Sequence, residues 1–256
     1  MSVMGSRLIA VALDEFRPRD EASRAMSLAL DLAERAAATV LVVRIGRDGW
    51  MPPPDQMAFA VLVADAERAL PGRIIVRRVA AEPPSADAAL AGHAAEAPLA
   101  AGEAFVATAA GFGARLLVVA ASSELQPLDG LVGAIVGTAD VPTVVVPSGV
   151  SHIGGCPFHV VVALDGVPHA GHVAEHISEL HGWFQTSVSL LHVLHPGGGR
   201  LTGVPVLAHD RAAQMLQRSA ACLGARGVES GQIHVVVRSG PTSKVIVDHL
   251  RREQAT

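Results

Sequence analysis

Two aspartates that follow short apolar runs are the residues best placed for chemistry in this sequence. The run V-A-L-D occurs at 11–14 and again at 162–165, so the acidic residues are Asp14 and Asp165. Each stands where a predicted strand ends, and open α/β sheets bind ligands at the carboxyl ends of their strands. An aspartate at such a position can also cap the next helix or shape the turn through its side-chain oxygen. Ligand contact and local capping both remain open for the two residues.

Two neighbouring serines are the other candidates for ligand contact. Ser122 and Ser123 come directly after the apolar run 115–121, and they are the only hydroxyls where phosphate groups would lie at a strand end. No G-x-S-x-G sequence surrounds them, which argues against the nucleophile turn of a hydrolase. Since no acid–base pair or activated nucleophile is recognisable elsewhere, we expect a protein that is not an enzyme.

Histidines crowd the second half of the chain. His169, His172 and His176 follow helical spacing, and His192 and His195 close the next predicted strand. A cluster of neutral imidazoles at one sheet edge would bind a divalent metal or respond to pH. The sequence has no HExxH or Cys/His pattern, so we favour a solvated helix face and one packed histidine, and we expect no metal.

Two glycine-containing stretches resemble phosphate loops only superficially. Gly197 to Gly199 follow a strand, but the segment 201–207 contains Pro205 and does not begin a clear helix, so we interpret them as a flexible loop. The stretch 239–244 lacks the Gly-x4-Gly-Lys spacing of a P-loop. A helix that starts near Thr242 explains it better.

Strands alternate with helices through the first 147 residues. In order, the pattern predicts a strand, helix and strand within 7–45, a helix at 54–70, a strand at 73–79, a helix at 101–113, a strand at 115–121, a helix at 128–138 and a strand at 142–147. Residues 81–99 are predicted to be an inserted loop or a loose helix. Such alternation indicates right-handed crossovers and a parallel sheet of five strands.

The pattern then begins again. Residues 158–194 predict strand, helix and strand, followed by a helix at 211–224, a strand at 233–237 and a helix from Thr242. The second copy therefore has about three strands. If its first strand, Val160 to Leu164, lies at the edge of that sheet, it forms an open apolar edge that we expect to be covered. With the linker within 147–157, we predict domains at 1–149 and 150–256.

Bulk composition excludes several classes of protein. A net charge of −4 over 256 residues gives no reason to expect binding to nucleic acid or to an anionic membrane. No apolar run approaches the roughly 18–20 residues that span a bilayer. Two isolated cysteines indicate neither a disulfide framework nor a zinc site, so we expect a cytoplasmic location.

The order of these segments resembles the universal stress protein family. The resemblance rests on A-L-D-E at 12–15, A-L-D-G at 163–166, V-P-T-V-V-V at 141–146 and S-G-P-T at 239–242. It implies two tandem open parallel-sheet α/β units of Rossmann-like form, the second truncated, with a strand order similar to 3-2-1-4-5.

The same resemblance implies a nucleotide site. Nucleotide-binding members of the family hold ATP near the first-strand aspartate, and a G-x2-G-x9-G-S/T stretch wraps the phosphates. Gly130 and Gly133 have the first spacing, but Gly137-Thr138 follows too soon. We therefore expect a degenerate phosphate site, with Asp14, Asp165, Ser122 and Ser123 as the candidate ligand contacts and ATP as the only implied cofactor.

Together these features predict a non-catalytic stress-response or regulatory protein. We expect it to act through dimerisation at a sheet edge and through a small ligand at the strand ends. The alternative is an ATP-binding universal stress protein with slow ATP hydrolysis, and a metal or pH sensor built from the histidines is a third interpretation.

Overall fold

The computed structural model describes residues 7–14, 19–46, 53–80, 96–121, 130–147, 158–164, 170–194 and 205–253. The chain divides into two compact units, Met1–Gly154 and Gly155–Thr256. Each unit contains one parallel β-sheet with helices packed on it. Within the described residues, no helix is both long and apolar enough to cross a membrane.

The first unit has five strands and four described helices. Its elements are β1 (Leu8–Asp14), α1 (Arg19–Ala36), β2 (Thr39–Gly46), α2 (Pro53–Ala69), β3 (Ile74–Ala80), α3 (Glu96–Gly111), β4 (Leu116–Ala120), α4 (Gly130–Thr138) and β5 (Thr143–Val146). The strands pair in the order β3-β2-β1-β4-β5, all parallel, which confirms the predicted five-stranded sheet and its order.

Branched aliphatic side chains explain why these runs form the middle of the sheet. The central strand β1 is buried from Leu8 to Leu13, and β4 is buried along its whole length. A strand covered on both faces by helices needs apolar residues at every position rather than at alternate ones. Phe105 of α3 is fully buried in the core on one face, beside Leu41 and Leu117.

Helices α3 and α4 approach closely at a glycine. A Cβ atom built on Gly102 would lie 2.5 Å from the Cβ of Ala134. Real Cβ atoms do not come so close, so the helix pair depends on the absent side chain. The two helices together cover one face of the first sheet.

The second unit repeats the beginning of this plan. Its elements are β6 (His159–Ala163), α5 (Ala170–Phe184), β7 (Ser187–Leu194), α6 (Pro205–Ala225), a short 3-10 turn (Ser230–Gln232), β8 (Ile233–Ser239) and α7 (Thr242–Glu253). The three strands pair in parallel in the order β6-β7-β8. The predicted tandem α/β fold, with a second sheet of three strands, is confirmed.

The two faces of the second sheet differ. Val188 and Leu190 of β7 point to one face, where they pack against Ile177 of α5 and Leu216 of α6. Residues at alternate positions point to the other face, where Glu253 of α7 reaches β6. Helix α7 therefore packs on the side opposite to α5 and α6.

Two predicted helix boundaries are wrong. Helix α3 begins at Glu96 rather than at 101, inside the segment expected to be a loop or a loose helix. Helix α6 begins at Pro205, which had been interpreted as evidence against a helix start. Proline suits the first helical position, because its fixed φ is already helical and the N–H that it lacks would have no acceptor there. Gly197 to Gly199 lie outside the described residues.

Equivalent helices end in the same unusual backbone conformation in both units. Ala37 follows α1 with φ of 51°, and Gln185 follows α5 with φ of 53°. Both residues lie in the left-handed region, where helices commonly end but where glycine is the usual residue. The pseudo-symmetry of the two units thus extends from the V-A-L-D runs to the turn before the second strand.

Candidate functional site

Asp14 is the last residue of β1 and lies at the point where the connectivity of the first sheet reverses. From β1 the chain builds outward through β2 and β3, and it then returns to place β4 on the other side of β1. At such a reversal the two neighbouring loops leave in opposite directions and open a crevice at the carboxyl ends of the strands. Asp14 is half-buried there, paired with Ile45 of β2.

The register of β4 indicates which residues face Asp14 across this crevice. Ile9 pairs with Leu116 and Val11 with Val118. If this register continues three residues beyond Val11, Asp14 lies opposite Ala121. The N–H of Ala121 donates to the carbonyl of Val146 at 2.8 Å. Ser122 and Ser123 come next along the chain, but these two candidates lie outside the described residues, as does Asp165.

The glycines that resemble part of a phosphate-binding stretch are helical. Gly130, Gly133 and Gly137 all belong to α4, which runs from Gly130 to Thr138. Beyond the first turn of an α-helix the N–H groups bond to carbonyls of the preceding turn, so they do not face a ligand. Within α4, only the first turn retains main-chain donors for an anion.

A histidine side chain hydrogen-bonds to the main chain at the carboxyl edge of the second sheet. His192 of β7 donates from Nδ1 to the carbonyl of Leu164, 2.6 Å away, and the N–H of Leu164 donates to Leu191 at 2.9 Å. These bonds fix the residue that precedes Asp165. Because Ala12 pairs with Val43 as Ala163 pairs with Leu191, the next residue, Arg44, is the equivalent of His192 in the first unit. The guanidinium of Arg44 lies 4.5 Å from the centre of the Phe59 ring.

The predicted histidine cluster can be followed only in part. His192 binds the main chain, and His176 is half-buried on α5. His172 is described only as part of the backbone of α5, and His169 and His195 lie outside the described residues. Over the part of the chain that the structure describes, no group of three His, Cys, Asp or Glu side chains is arranged to hold a metal ion.

A different set of histidines meets under α7, and sequence patterns did not predict it. Nδ1 of His159 lies 2.6 Å from Oγ of Ser187, and its Nε2 lies 2.9 Å from Oγ of Ser189. Since a hydroxyl donates or accepts, the two serines satisfy either tautomer of the ring. The carboxylate of Glu253 is 3.6 Å from His159 Nε2, and the ring of His234 is centred 6.2 Å away.

Burial governs the protonation of this histidine. Desolvation lowers the pKa of His159, because a charged imidazolium is poorly accommodated away from water. The carboxylate of Glu253 raises the pKa in opposition, and the neighbouring His234 and His249 lower it further. The net direction is downward, so the neutral ring is favoured at this position. The pairing of the three strands and the packing of α7 bring these residues together, so spacing along the chain did not reveal them.

Comparison with known protein families gives a match in the second unit. Residues 158–256 match the sequence profile of the universal stress protein family. Proteins of curated function give no match in sequence.

Solved structures share the fold. A protein of Pseudomonas aeruginosa UCBPP-PA14 assigned to the universal stress proteins has a TM-score of 0.55 and 13% sequence identity, covering 97% of this chain and 79% of that one. A universal stress protein of Archaeoglobus fulgidus DSM 4304 has a TM-score of 0.50 and 14% identity, covering 96% and 81%.

A third structure, a universal stress protein in complex with cAMP, has a TM-score of only 0.38 and 19% identity over 55% of this chain and 95% of that one. Identities this low show a shared fold and not a shared ligand. Residues 158–256 are therefore similar to the universal stress protein family, and they follow an α/β unit built on the same strand–helix–strand repeat.

Proposed function

We propose that this chain is a non-catalytic regulatory protein of the cytoplasmic stress response. It binds a small adenine-containing ligand at the carboxyl edge of the first sheet and associates with a second copy through the edge of the second sheet. The observation that carries the ligand site is the position of Asp14, half-buried where the strand order of the first sheet reverses.

The character of the residues around Asp14 supports binding without catalysis. Its partner in register is Ile45, and the register of β4, extended beyond Val118, places Ala121 across the crevice; neither side chain can transfer a proton. Gly133 and Gly137 lie within α4, which supports a site that contacts the nucleoside part of a ligand more than a triphosphate. Asp14 then accepts hydrogen bonds from ribose or base.

Calorimetric titration of the full chain tests the site. With Mg²⁺ present, we expect adenosine and ATP to bind with affinities within a few-fold of each other, because little of the affinity comes from phosphates. Asp14→Asn keeps the shape of the side chain and removes its charge, and it should weaken binding of both about tenfold, as loss of a charged hydrogen bond does. Asp65→Asn on the exposed side of α2 is the matched control and should bind normally.

Two results would contradict the proposal. ATP that binds far more tightly than adenosine, and is hydrolysed slowly, would favour a nucleotide-binding universal stress protein with a working phosphate site. Equal binding by the wild type and Asp14→Asn would remove Asp14 from the site.

The edge of the second sheet supports self-association. In the bonds around β6, the carbonyl of Phe158 accepts from Ser187 and the N–H of Leu164 donates to Leu191, so the even-numbered residues bond to β7. Residues of a parallel strand direct their main-chain groups alternately to the two sides. The groups of Val161 therefore point away from β7, toward a side where no described strand of the second unit pairs.

Light scattering after size-exclusion chromatography tests whether two copies associate through β6. We expect a dimer for the wild type and a monomer for Val161→Pro, because proline removes the N–H that points outward and leaves the bonds to β7 in place. A wild-type protein that is monomeric at micromolar concentrations, or a Val161→Pro variant that is still dimeric, would rule out association through β6.

A further inference from the structure

A cleft of about 280 Å³ lies between the end of β8 and helix α7 in the second unit. Three basic side chains line it: Arg238 from β8, and Lys244 and Arg252 from α7. Asp248 is the one acidic residue of the lining. The charged groups therefore leave an excess of two positive charges around a small volume.

These cations have no side-chain partner within the described part of the chain. Arg238, Lys244 and Arg252 form no hydrogen bond or ion pair with any side chain of the described residues, although Asp248 is one helical turn from both Lys244 and Arg252. Opposite charges four residues apart on a helix ordinarily pair with each other. Their failure to pair leaves three charged donors directed at solvent around the cleft.

The first turn of α7 adds main-chain donors to the same wall. The N–H of Val245 donates to the carbonyl of Pro241 at 3.0 Å, so the N–H groups of the three residues before Val245 have no acceptor within the helix. These groups and the helix dipole favour an anion at this end of α7.

The turn into α7 requires a glycine. Gly240 has φ of 147°, and a Cβ atom on it would lie 2.9 Å from Cγ2 of Val245. Only a residue without a side chain fits both the backbone conformation and the space. Gly240 therefore brings the strand end and the helix start close enough to line one cleft.

We propose that this cleft binds a phosphate group, either as inorganic phosphate or as the terminal group of a small phosphate monoester. Arg238, Lys244 and Arg252 neutralise the dianion, and the first N–H groups of α7 donate to its oxygens. The volume is near the lower limit of about 300 Å³ for ligand pockets, which fits one phosphate group with a small substituent. The site lies in the second unit and does not depend on the ligand proposed near Asp14.

Calorimetric titration of the full chain with inorganic phosphate, at ionic strength held constant with chloride, tests the proposal. We expect saturable binding at one site. Arg238→Gln and Arg252→Gln should each weaken it about tenfold, the usual effect of losing one charged hydrogen bond. Arg251→Gln is the matched control, because Arg251 is an exposed neighbour on α7 that does not line the cleft.

The sole lysine of the chain gives a second readout. Reductive methylation with ¹³C-formaldehyde keeps the charge and labels Lys244 together with the terminal amine. The Lys244 resonance should shift on titration and saturate at the same phosphate concentration as the calorimetric signal. Methyl phosphate, titrated in parallel, distinguishes the two sources of the group: tighter binding than inorganic phosphate indicates a monoester, and weaker binding indicates the free ion.

Three results would contradict the proposed phosphate site. Heat that does not saturate, a Lys244 resonance that does not move, or an equal loss of affinity in Arg251→Gln and Arg252→Gln would show general attraction of anions to a basic surface and would overturn the site.

Discussion

The face of the first sheet under α3 and the face of the second sheet under α7 occupy equivalent positions, yet the first is apolar and the second carries a row of polar residues. The V-A-L-D runs and the strand registers align the two sheets residue by residue. The equivalent pairs are Leu8 and His159, Leu41 and Ser189, and Ile75 and His234. The three residues of the first unit belong to or pack against its core cluster, whereas those of the second form a polar row that includes a hydrogen-bonded histidine.

The difference follows from what covers each face. In the first unit α3 and α4 pack together over the sheet, and Phe105 fills the space between them and the strands. In the described part of the second unit α7 is the helix on that face, and it presents His249 and Glu253. A position in a parallel sheet must be apolar when helices seal it from water. It tolerates histidine when neighbouring hydroxyls satisfy the ring.

The largest loss of stability should come from giving the apolar face a residue of the polar row, that is, from replacing Leu41 by the serine found at the equivalent position 189. Leu41 is fully buried, and Leu41→Ser removes packing and adds a hydroxyl without a partner. We expect a loss of about 4 kcal/mol in the stability of the first unit. Hydrogen exchange of β1 and β2 amides measures it, and Ser189→Ala in the second unit, expected to cost about 1 kcal/mol, is the comparison. Equal losses would mean that the two faces are energetically alike.

A smaller effect should come from separating the two helices that seal the first face. Gly102→Ala places a methyl group against Ala134, and we expect about 2 kcal/mol of destabilisation despite the better helix propensity of alanine. Gly111→Ala, in the same helix with no atom near the added methyl, should be neutral or slightly stabilising. Thermal unfolding followed by peptide-level hydrogen exchange distinguishes the two variants. A neutral Gly102→Ala would show that α3 and α4 move apart freely.

The polar row can be made apolar in steps. His159→Leu leaves the hydroxyls of Ser187 and Ser189 without their ring partner, so we expect a loss of about 1 kcal/mol. Adding Ser187→Ala and Ser189→Ala should recover most of it, because removing all partners together leaves nothing unsatisfied. Denaturant unfolding followed by Trp183 fluorescence in a Trp50→Phe background reports on the second unit alone. A triple variant no more stable than His159→Leu would contradict this account.

The smallest expected effect is the change in stability of the second unit with pH. The pKa of His159 is lowered in the folded state, so between its ordinary value of 6.5 and its folded value the unfolded chain binds more protons. The stability contributed by neutral His159 is therefore complete above pH 6.5 and declines as pH falls below it. Trp183 fluorescence at pH 7.5 and 5.5 measures the decline, which His159→Gln should reduce. An unchanged slope in that variant would assign the titration to another group.

Much of the fold was predictable because short segments of the sequence determine the strands and helices. The alternation of apolar runs with alanine-rich stretches gave the strands and helices, and the repeated V-A-L-D gave the two units. The strand order came from the family resemblance, and the structure confirmed it for the first sheet. The start of α6 at Pro205 was missed because proline was treated as a helix breaker and not as a first helical residue.

The candidate sites were less predictable because they depend on pairing between distant segments. Asp14 was found because it ends a strand, a local signal. His159 and Ser189 are 30 residues apart, and only strand register makes them neighbours. One signal was present in the sequence: aligned by its V-A-L-D run, His159 falls on Leu8, and a histidine in place of a core leucine indicates a changed environment. The partners of that histidine could not be deduced without the sheet.

The matching turns at Ala37 and Gln185 have a practical consequence for engineering this chain. A side chain in left-handed backbone carries strain of about 1 kcal/mol that glycine does not. Exchanging either residue for glycine would thus raise the melting temperature of its own unit and leave the other untouched. Each half of the molecule accordingly offers one position for thermostabilisation, at the end of the sheet opposite to the proposed binding sites.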